Sequence, residues 1–179
     1  MIDIESLDKR CSKKTHIKRL AKDLSNIDLD FSYKSDFKNT KDLRDFVDVI
    51  SDTVWMPEKW KKRFVLIIDE MNNNAIEYWS RENDRNRITI KVVKKNHILD
   101  LKIEVEDTWK WKNPKKAAEM YKLKEERLKK WFENHNSIRG RWLFLIIEKT
   151  VDRLYFEDSK EWWLIVGVEK IIDLNKAHF

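Results

Sequence analysis

A carboxylate and an amide one helical turn apart are the residues of this chain best suited to chemistry. Glu70 and Asn74 are four residues apart in a segment whose apolar positions repeat with helical spacing, so they share one face of a predicted helix. A carboxylate beside an amide oxygen suits general-base work on a hydroxyl near Mg²⁺, since both groups are hard oxygen ligands. The same pair is also typical of a solvated helix face, so the surrounding sequence is needed to distinguish a functional pair from an ordinary surface pair.

That context comes from the segment around the pair and from two segments further along the chain. Residues 65–78 contain the pattern E-x-x-x-N-A. Residues 105–111 come at the end of two predicted strands with alternating apolar residues, and they contain Asp107. Residues 137–146 carry an Arg-Gly pair before an apolar run. In order and spacing these segments resemble the N-box and the two glycine boxes of the gyrase, histidine-kinase and chaperone ATPase (GHKL) superfamily. The resemblance covers residues 27–170. It is closest to the anti-sigma-factor serine/threonine kinases, because no phospho-accepting pair of helices precedes it.

The resemblance implies a role for each matching residue. Glu70 would be the catalytic base, Asn74 the Mg²⁺ ligand and Asp107 the acceptor for the amino group of adenine. The basic stretch 112–136 would form a lid over ATP, and the segment around Gly140 would wrap the phosphates. The positions implied to contact ATP are therefore Asn74, Asp107, Trp109, Trp111, Arg139, Gly140, Arg141 and Trp142.

The function implied by this resemblance is an ATP-binding protein kinase of the anti-sigma type. Such a protein holds a sigma factor and phosphorylates a serine on an anti-anti-sigma-type protein, with Mg²⁺ assisting phosphoryl transfer. It would regulate transcription in the cytoplasm, and the resemblance leaves a homodimer open. A first alternative is a degenerate, non-catalytic binding module of the same fold that sequesters a sigma factor.

Tryptophan stands where the family has glycine. The chain has two glycines and nine tryptophans, whereas ordinary usage predicts about 12 glycines. Glycine lets the backbone adopt positive φ and approach a ligand closely, and an indole at these places would crowd the nucleotide. The affected positions are Trp109, Trp111 and Trp142 in the glycine boxes and one or both of Trp162 and Trp163 before the last strand. Trp79 stands where a glycine would be expected to end a helix, and Trp55 and Trp131, beside other helices, could be the same case.

We interpret these tryptophans as the record of a decoding choice. The codon UGA differs by one base from the glycine codon GGA, and it is read as glycine in some bacterial lineages and as tryptophan in others. The competing interpretation takes the tryptophans at face value and predicts a chain that no longer binds nucleotide. Only Trp60 falls on a predicted buried helical stripe.

Charge gives a second alternative function. The chain has a formal net charge of +6, and residues 112–130 hold eight basic and three acidic residues, which is +5 in one stretch. Another basic cluster lies within residues 9–22. Such clusters with many aromatic residues also suit a nucleic-acid-binding protein, although the aromatic residues do not interleave with the lysines. A single cysteine, Cys11, fits a reducing compartment, and the shortness of every apolar run predicts no membrane helix.

The periodicity of the chain predicts the elements that position these residues. Helices are expected over about 8–25, from a cap at Asn39 or Thr40, from Pro57 to about 78, over 112–130 and over 143–149. Strands are expected over 27–33, 88–92, 101–105, 152–157 and 163–170, with a polar turn before position 88. This order predicts an α+β fold, and the resemblance implies a two-layer sandwich: a mixed, mostly antiparallel sheet with helices on one face. We divide the chain into an N-terminal helical extension, 1–26, and a histidine-kinase-like ATPase domain, 27–179.

Overall fold

The computed structural model describes residues 1–8, 10–21, 23–80, 84–107, 115–133, 147, 149–160 and 164–176. A 3-10 turn at Ile4–Ser6 and a π-helical turn at Ala75–Trp79 supplement the regular elements. In chain order these are β1 (Ile2–Asp3), α1 (Lys13–Leu20), β2 (Asn26–Lys34), α2 (Lys38–Thr53), α3 (Glu58–Asn74), β3 (Arg85–Lys95), β4 (Ile98–Glu106), α4 (Ala117–Glu133), β5 (Arg153–Asp158) and β6 (Leu164–Asp173).

The six strands form one mixed sheet in the order β1-β2-β3-β4-β6-β5. The short strand β1 runs parallel to β2, and every other neighbouring pair is antiparallel. β3 and β4 form a hairpin whose turn contains Asn96 at φ 54°, a conformation that asparagine tolerates. The predicted α+β fold with a mixed, mostly antiparallel sheet is confirmed.

Strict alternation separates the two faces of the sheet. Along β2, β3 and β4 the buried positions alternate and face the helices, and most of them are apolar; Asn86 near the start of β3 is a polar exception. The opposite face carries charged pairs that run across the strands, such as Arg87 with Asp30 and Glu106. One core therefore fills the space between the helices and the inner face of the sheet. It includes Leu29, Phe31, Phe46, Phe64, Ile67, Ile90, Leu101, Ile103, Val166 and Val168.

Helices α2 and α3 lie antiparallel on this core, and two contacts fix their direction. At one end the buried Asn72 side chain donates a hydrogen bond to Thr40 Oγ1 at 3.1 Å, which joins the last turns of α3 to the first turns of α2. At the other end, Lys94 near the end of β3 donates a hydrogen bond from Nζ to the backbone carbonyl of Val54, which directly follows α2. The C-terminal half of α3 therefore lies over the end of the sheet where β2 and β4 finish and where β3 and β6 begin.

Several predicted boundaries differ from the structure. The cap of α2 is neither Asn39 nor Thr40, because both are buried inside the helix and bonded to other elements. The N-cap is Phe37, whose side chain makes no capping bond, and Asp36 before it forms an Asx turn in which Oδ1 accepts from the amide of Lys38 at 2.9 Å. The first helix is shorter than residues 8–25. Asn86, predicted to lie in a polar turn, is instead the second residue of β3.

The first residues of the chain contribute to the same core. β1 pairs with Phe31 and Ser32 of β2, and Ile4, Ile17 and Ala21 are buried together with the rest of the core. Within the part of the chain that the structure describes, each helix is too short or too polar to cross a lipid bilayer.

Candidate functional site

The helical turn that carries Glu70 and Asn74 ends α3. Both side chains are half-buried, and they project from consecutive turns on one face of the helix. The amide nitrogen Nδ2 of Asn74 donates to the backbone carbonyl of Glu70 at 2.8 Å. That bond holds the amide over the preceding turn and uses its nitrogen as the donor, which leaves the oxygen Oδ1 as the atom suited to a hard cation.

Glu70 has the electrostatic setting of a base. Burial raises the pKa of its carboxyl above the usual range, and the negative charge of Asp69 next to it raises the pKa further. The Asn74 amide acts in the opposite direction by hydrogen bonding to the charged form, and Glu77 adds a smaller upward effect. A carboxylate of raised pKa binds a proton more strongly, so this environment favours proton abstraction from a hydroxyl.

Asp107 directly follows β4 and lies at the same end of the sheet. Its backbone amide donates to the carbonyl of Leu164 at 3.2 Å, which extends the β4–β6 ladder by one step. The side chain is 1% exposed. Asp107 lies two residues beyond the inward-facing Val105, so strand alternation directs it to the same inner face. Because the last turns of α3 cover this end, the fold brings Glu70, Asn74 and Asp107 to one end of the molecule.

Two buried polar residues stand beside Asp107 on the inner face. Tyr33 of β2 is paired in register with Asn86 of β3, and the β3–β4 register carries the row on to Asp107. The hydroxyl of Ser80 donates to Asn86 Oδ1 at 2.5 Å. Burial raises the pKa of the Tyr33 phenol, and the negative charge of Asp107 raises it further, although the Asn86 amide has an opposing effect.

Sequence reasoning missed Tyr33, Ser80 and Asn86. The signal was present in β3, where Asn86 takes the inward position that Ile88, Ile90 and Val92 occupy further along. A polar residue at an inward position of an alternating strand either has a partner in the core or a function. Placing the start of β3 at residue 88 hid that signal.

The other amides and acids of α3 hold helices together. Asn72 is fully buried and bonds Thr40 of α2, as described above. Asp69 Oδ2 receives a hydrogen bond from Arg44 at 3.3 Å, and burial raises the pKa of the Asp69 carboxyl against the effect of Arg44. These contacts fix the rotation of α3 about its axis and hence the direction in which Glu70 and Asn74 point.

Six of the predicted site residues lie outside the described part of the chain. They are Trp109, Trp111, Arg139, Gly140, Arg141 and Trp142. The described residues next to three undescribed segments lie at the end of the sheet discussed above. They are Ser80 and Asp84 on either side of 81–83, Asp107 before 108–114, and Leu164 after 161–163.

The helix predicted over residues 112–130 is α4, which begins at Ala117. It lies beside the edge strand β5, where Tyr121 Oη accepts a hydrogen bond from the amide of Phe156 and Met120 is buried. Lys122 and Lys129 are exposed on it, and the exposed Lys116 directly precedes it. Glu119, Glu125 and Glu126 are exposed on the same helix, so the described surface of α4 mixes both signs of charge. The role of this segment as a lid stays a prediction.

Two tryptophans with described side chains differ sharply. Trp60 packs against Phe64 on α3, and the cationic groups of Arg63 and Lys170 each lie 5.0 Å from the centre of its ring. Trp55 follows α2 with φ 64° and its side chain is 79% exposed. The amide of Trp55 donates to Asp52, and that of Met56 donates to Ser51, so this is a Schellman motif with tryptophan at its left-handed position.

The donor set at the end of α3 fits a magnesium–nucleotide complex. Mg²⁺ in nucleotide sites is held by one or two protein oxygens, by phosphates and by waters, and Asn74 Oδ1 and the Glu70 carboxylate are oxygens of that kind. Among the described residues, no three His, Cys, Asp or Glu side chains cluster as a dedicated metal cage would require.

Cavities lined by described residues occur elsewhere in the fold. One lies beside Cys11 and His16, and two lie on the charged outer face of the sheet, around Lys102 and around Arg87. Glu70, Asn74 and Asp107 line none of these three. No protein-family model matches the chain, and a search of curated proteins gives no match.

Proposed function

We propose that this chain is an ATP-binding serine/threonine protein kinase of the anti-sigma-factor type. It would bind a sigma factor or an anti-anti-sigma-type protein and phosphorylate a serine of that partner. The observation that carries the proposal is the convergence of Glu70, Asn74 and Asp107 at one end of the sheet, although Asp107 is 33 residues beyond Asn74 in the sequence.

Each residue would have one task. Glu70, with its raised pKa, takes the proton from the attacking serine hydroxyl. Asn74 holds Mg²⁺ through Oδ1, and Asp107 accepts a hydrogen bond from the exocyclic amino group of adenine. When bound, Mg²⁺ neutralises charge on the triphosphate. The excess of basic residues in the stretch 112–130 provides further positive potential for an anionic ligand.

The experiment that tests the proposal uses the full-length chain with Trp109→Gly, Trp111→Gly and Trp142→Gly, here called the glycine-restored chain. We expect it to bind ATP in a Mg²⁺-dependent manner by calorimetry. Asn74→Ala should abolish the Mg²⁺ dependence, whereas Asn73→Ala, on the neighbouring amide of the same helix, should leave it intact. The absence of any ATP binding by the glycine-restored chain would contradict the proposed function.

Catalysis is separated from binding by Glu70→Gln. This variant of the glycine-restored chain should keep its ATP affinity and lose phosphoryl transfer by a factor of about 10² to 10⁴, which is the usual contribution of a positioned base. Phosphate transfer from labelled ATP to a bound partner protein is the readout. Unchanged transfer in Glu70→Gln would contradict the role of Glu70 as the catalytic base.

A further inference from the structure

One carboxylate ties the first seven residues of the chain to the site end of the sheet. Glu5 lies in the 3-10 turn after β1, and its Oε1 accepts a hydrogen bond from Asn39 Nδ2 at 3.2 Å. Its other oxygen, Oε2, accepts from Arg85 Nη1 at 3.2 Å, and Arg85 also forms an ion pair with Asp3 at 2.6 Å. Glu5 therefore joins residues 1–7 to the first turn of α2 and to the first residue of β3.

Asn39 connects this contact to α3. The residue after it, Thr40, accepts from Asn72 Nδ2 at 3.1 Å in the buried contact between α2 and α3. Asn72 lies midway between the candidate base and the candidate Mg²⁺ ligand in the same helix. A short series of contacts thus leads from Glu5 to the turn of α3 that carries both candidate site residues.

The start of α2 has limited support of its own. Its N-cap, Phe37, makes no capping bond, its first turn contains no acidic residue, and Asp36 bonds one of its amides. The Glu5 carboxylate adds negative charge near the positive end of this helix and holds the Asn39 amide in place. The loss of Glu5 should therefore loosen the start of α2 locally, since a helix end with few contacts opens more easily than the core.

We propose that Glu5 is a positioning residue for the candidate site: through Asn39 and the buried contact between α2 and α3, it holds the last turn of α3 in the orientation that the site requires. Residues 1–7 then regulate the site, because their detachment from the sheet releases this turn. The inference rests on the proposed function, since it concerns the regulation of the same site.

The test compares Glu5→Ala with Glu104→Ala in the glycine-restored chain. Glu104 is the matched control, because its side chain is 22% exposed against 29% for Glu5, and it also holds two partners, Lys102 and Tyr155, on the outer face of the sheet. Hydrogen exchange follows the backbone amides of residues 71–75, at the end of α3, and calorimetry measures the affinity for ATP with Mg²⁺. Glu5→Ala should speed exchange of these amides about tenfold and weaken ATP binding about tenfold, whereas Glu104→Ala should change neither.

Glu5→Gln is the conservative variant. Glutamine keeps an oxygen that accepts from Asn39 and loses the ion pair with Arg85, so this variant should recover most of the ATP affinity lost in Glu5→Ala. A Glu5→Gln variant as weak as Glu5→Ala would assign the effect to the contact with Arg85 and would contradict the path through α2.

Two further outcomes separate this inference from the proposed function. If exchange at the end of α3 is the same in Glu5→Ala and Glu104→Ala, or if Glu5→Ala leaves ATP affinity unchanged, the inference is wrong even though the parent binds ATP. If the glycine-restored chain binds no ATP while its α3 amides still respond to Glu5→Ala, the proposed function fails and the coupling between Glu5 and α3 stands.

Discussion

At the scale of single residues, backbone conformation distinguishes Trp55 from Trp60. A left-handed residue with a Cβ costs about 1–2 kcal/mol, and glycine avoids that cost. Trp55 has this conformation and exposes most of its ring, whereas Trp60 uses its ring as packing surface. The structure thus supports glycine as the residue suited to position 55 and tryptophan as the residue suited to position 60.

Glycine substitutions at these two positions should therefore have opposite effects. Trp55→Gly should raise the free energy of unfolding by about 1 kcal/mol, since it relieves the strain at φ 64° and removes little packing. Trp60→Gly should lower it by about 2 kcal/mol or more, because a half-buried ring is lost and glycine is unfavourable in a helix. Urea denaturation measures both, and a loss of stability in Trp55→Gly would contradict the glycine interpretation of that position.

The raised pKa of Glu70 gives a second prediction at this scale. Burial disfavours the charged form, so ionisation of Glu70 costs stability once the pH rises above the unfolded value near 4.5. Below that value both states hold the proton and the cost disappears. Glu70→Gln should accordingly be more stable than the parent at pH 7, with the difference shrinking toward zero as the pH falls below about 4. Thermal melts over this pH range provide the measurement, and a constant difference would exclude ionisation of Glu70 as the cause.

At the scale of secondary-structure elements, Gly167 is required for the pairing of β5 with β6. Tyr155 is the register partner of Gly167, and its ring crosses the glycine to donate to Glu104 of β4 at 2.8 Å. A Cβ at position 167 would lie 2.0 Å from Tyr155 Cζ. This glycine creates the space that lets one side chain connect three strands.

Gly167→Ala should lower the free energy of unfolding by about 1–3 kcal/mol, the usual cost of overpacking. In a Tyr155→Ala background the same substitution should cost much less, because the ring that it meets is absent. The coupling from this double-mutant cycle is the measurement. Equal costs in both backgrounds would show that the contact with Tyr155 is not the reason for glycine.

At the scale of the whole molecule, the distribution of charge over the surface distinguishes a protein that binds a single nucleotide from one that binds nucleic acid. The exposed lysines of α4 lie on one side of the fold, while the outer face of the sheet is covered by ion pairs between strands, including Lys91 with Asp28 and Arg153 with Glu169. Those pairs leave little unbalanced positive charge on the broad face. A single strand of nucleic acid needs a continuous basic groove with aromatic platforms, which this distribution does not favour.

We therefore expect the chain to pass through a single-stranded DNA column at about 0.15 M salt, where phosphate contacts are weakened. Retention that falls steeply with salt and is independent of ATP would support the nucleic-acid alternative instead. The coding DNA offers a separate check at this scale. UGG codons at Trp109, Trp111 and Trp142 would overturn the decoding interpretation, whereas UGA codons would support it.

The sequence alone was sufficient for the elements and their order. Strand alternation and the helical stripes predicted the hairpin, α2, α3 and the last two strands, because periodicity reports directly which face of an element is buried. It was also sufficient for the pairing of Glu70 with Asn74, since residues four apart in a helix always share a face. The ends of helices were predicted less well. The side chain that bonds the first amide of α2 belongs to Asp36 and not to Asn39 or Thr40, because such bonds depend on loop geometry that periodicity does not encode.

Only the tertiary structure decided which distant residues meet. Asp107 and Asn74 come to one end of the molecule because α3 runs antiparallel to α2 over a sheet of known register, and no spacing along the chain contains that information. The same register revealed Tyr33, Asn86 and Ser80 as neighbours of Asp107, since their hydrogen bonds and shared burial depend on strands that are paired in space. The left-handed backbone at Trp55 was likewise visible only once α2 had a defined end, because φ is a property of the folded chain.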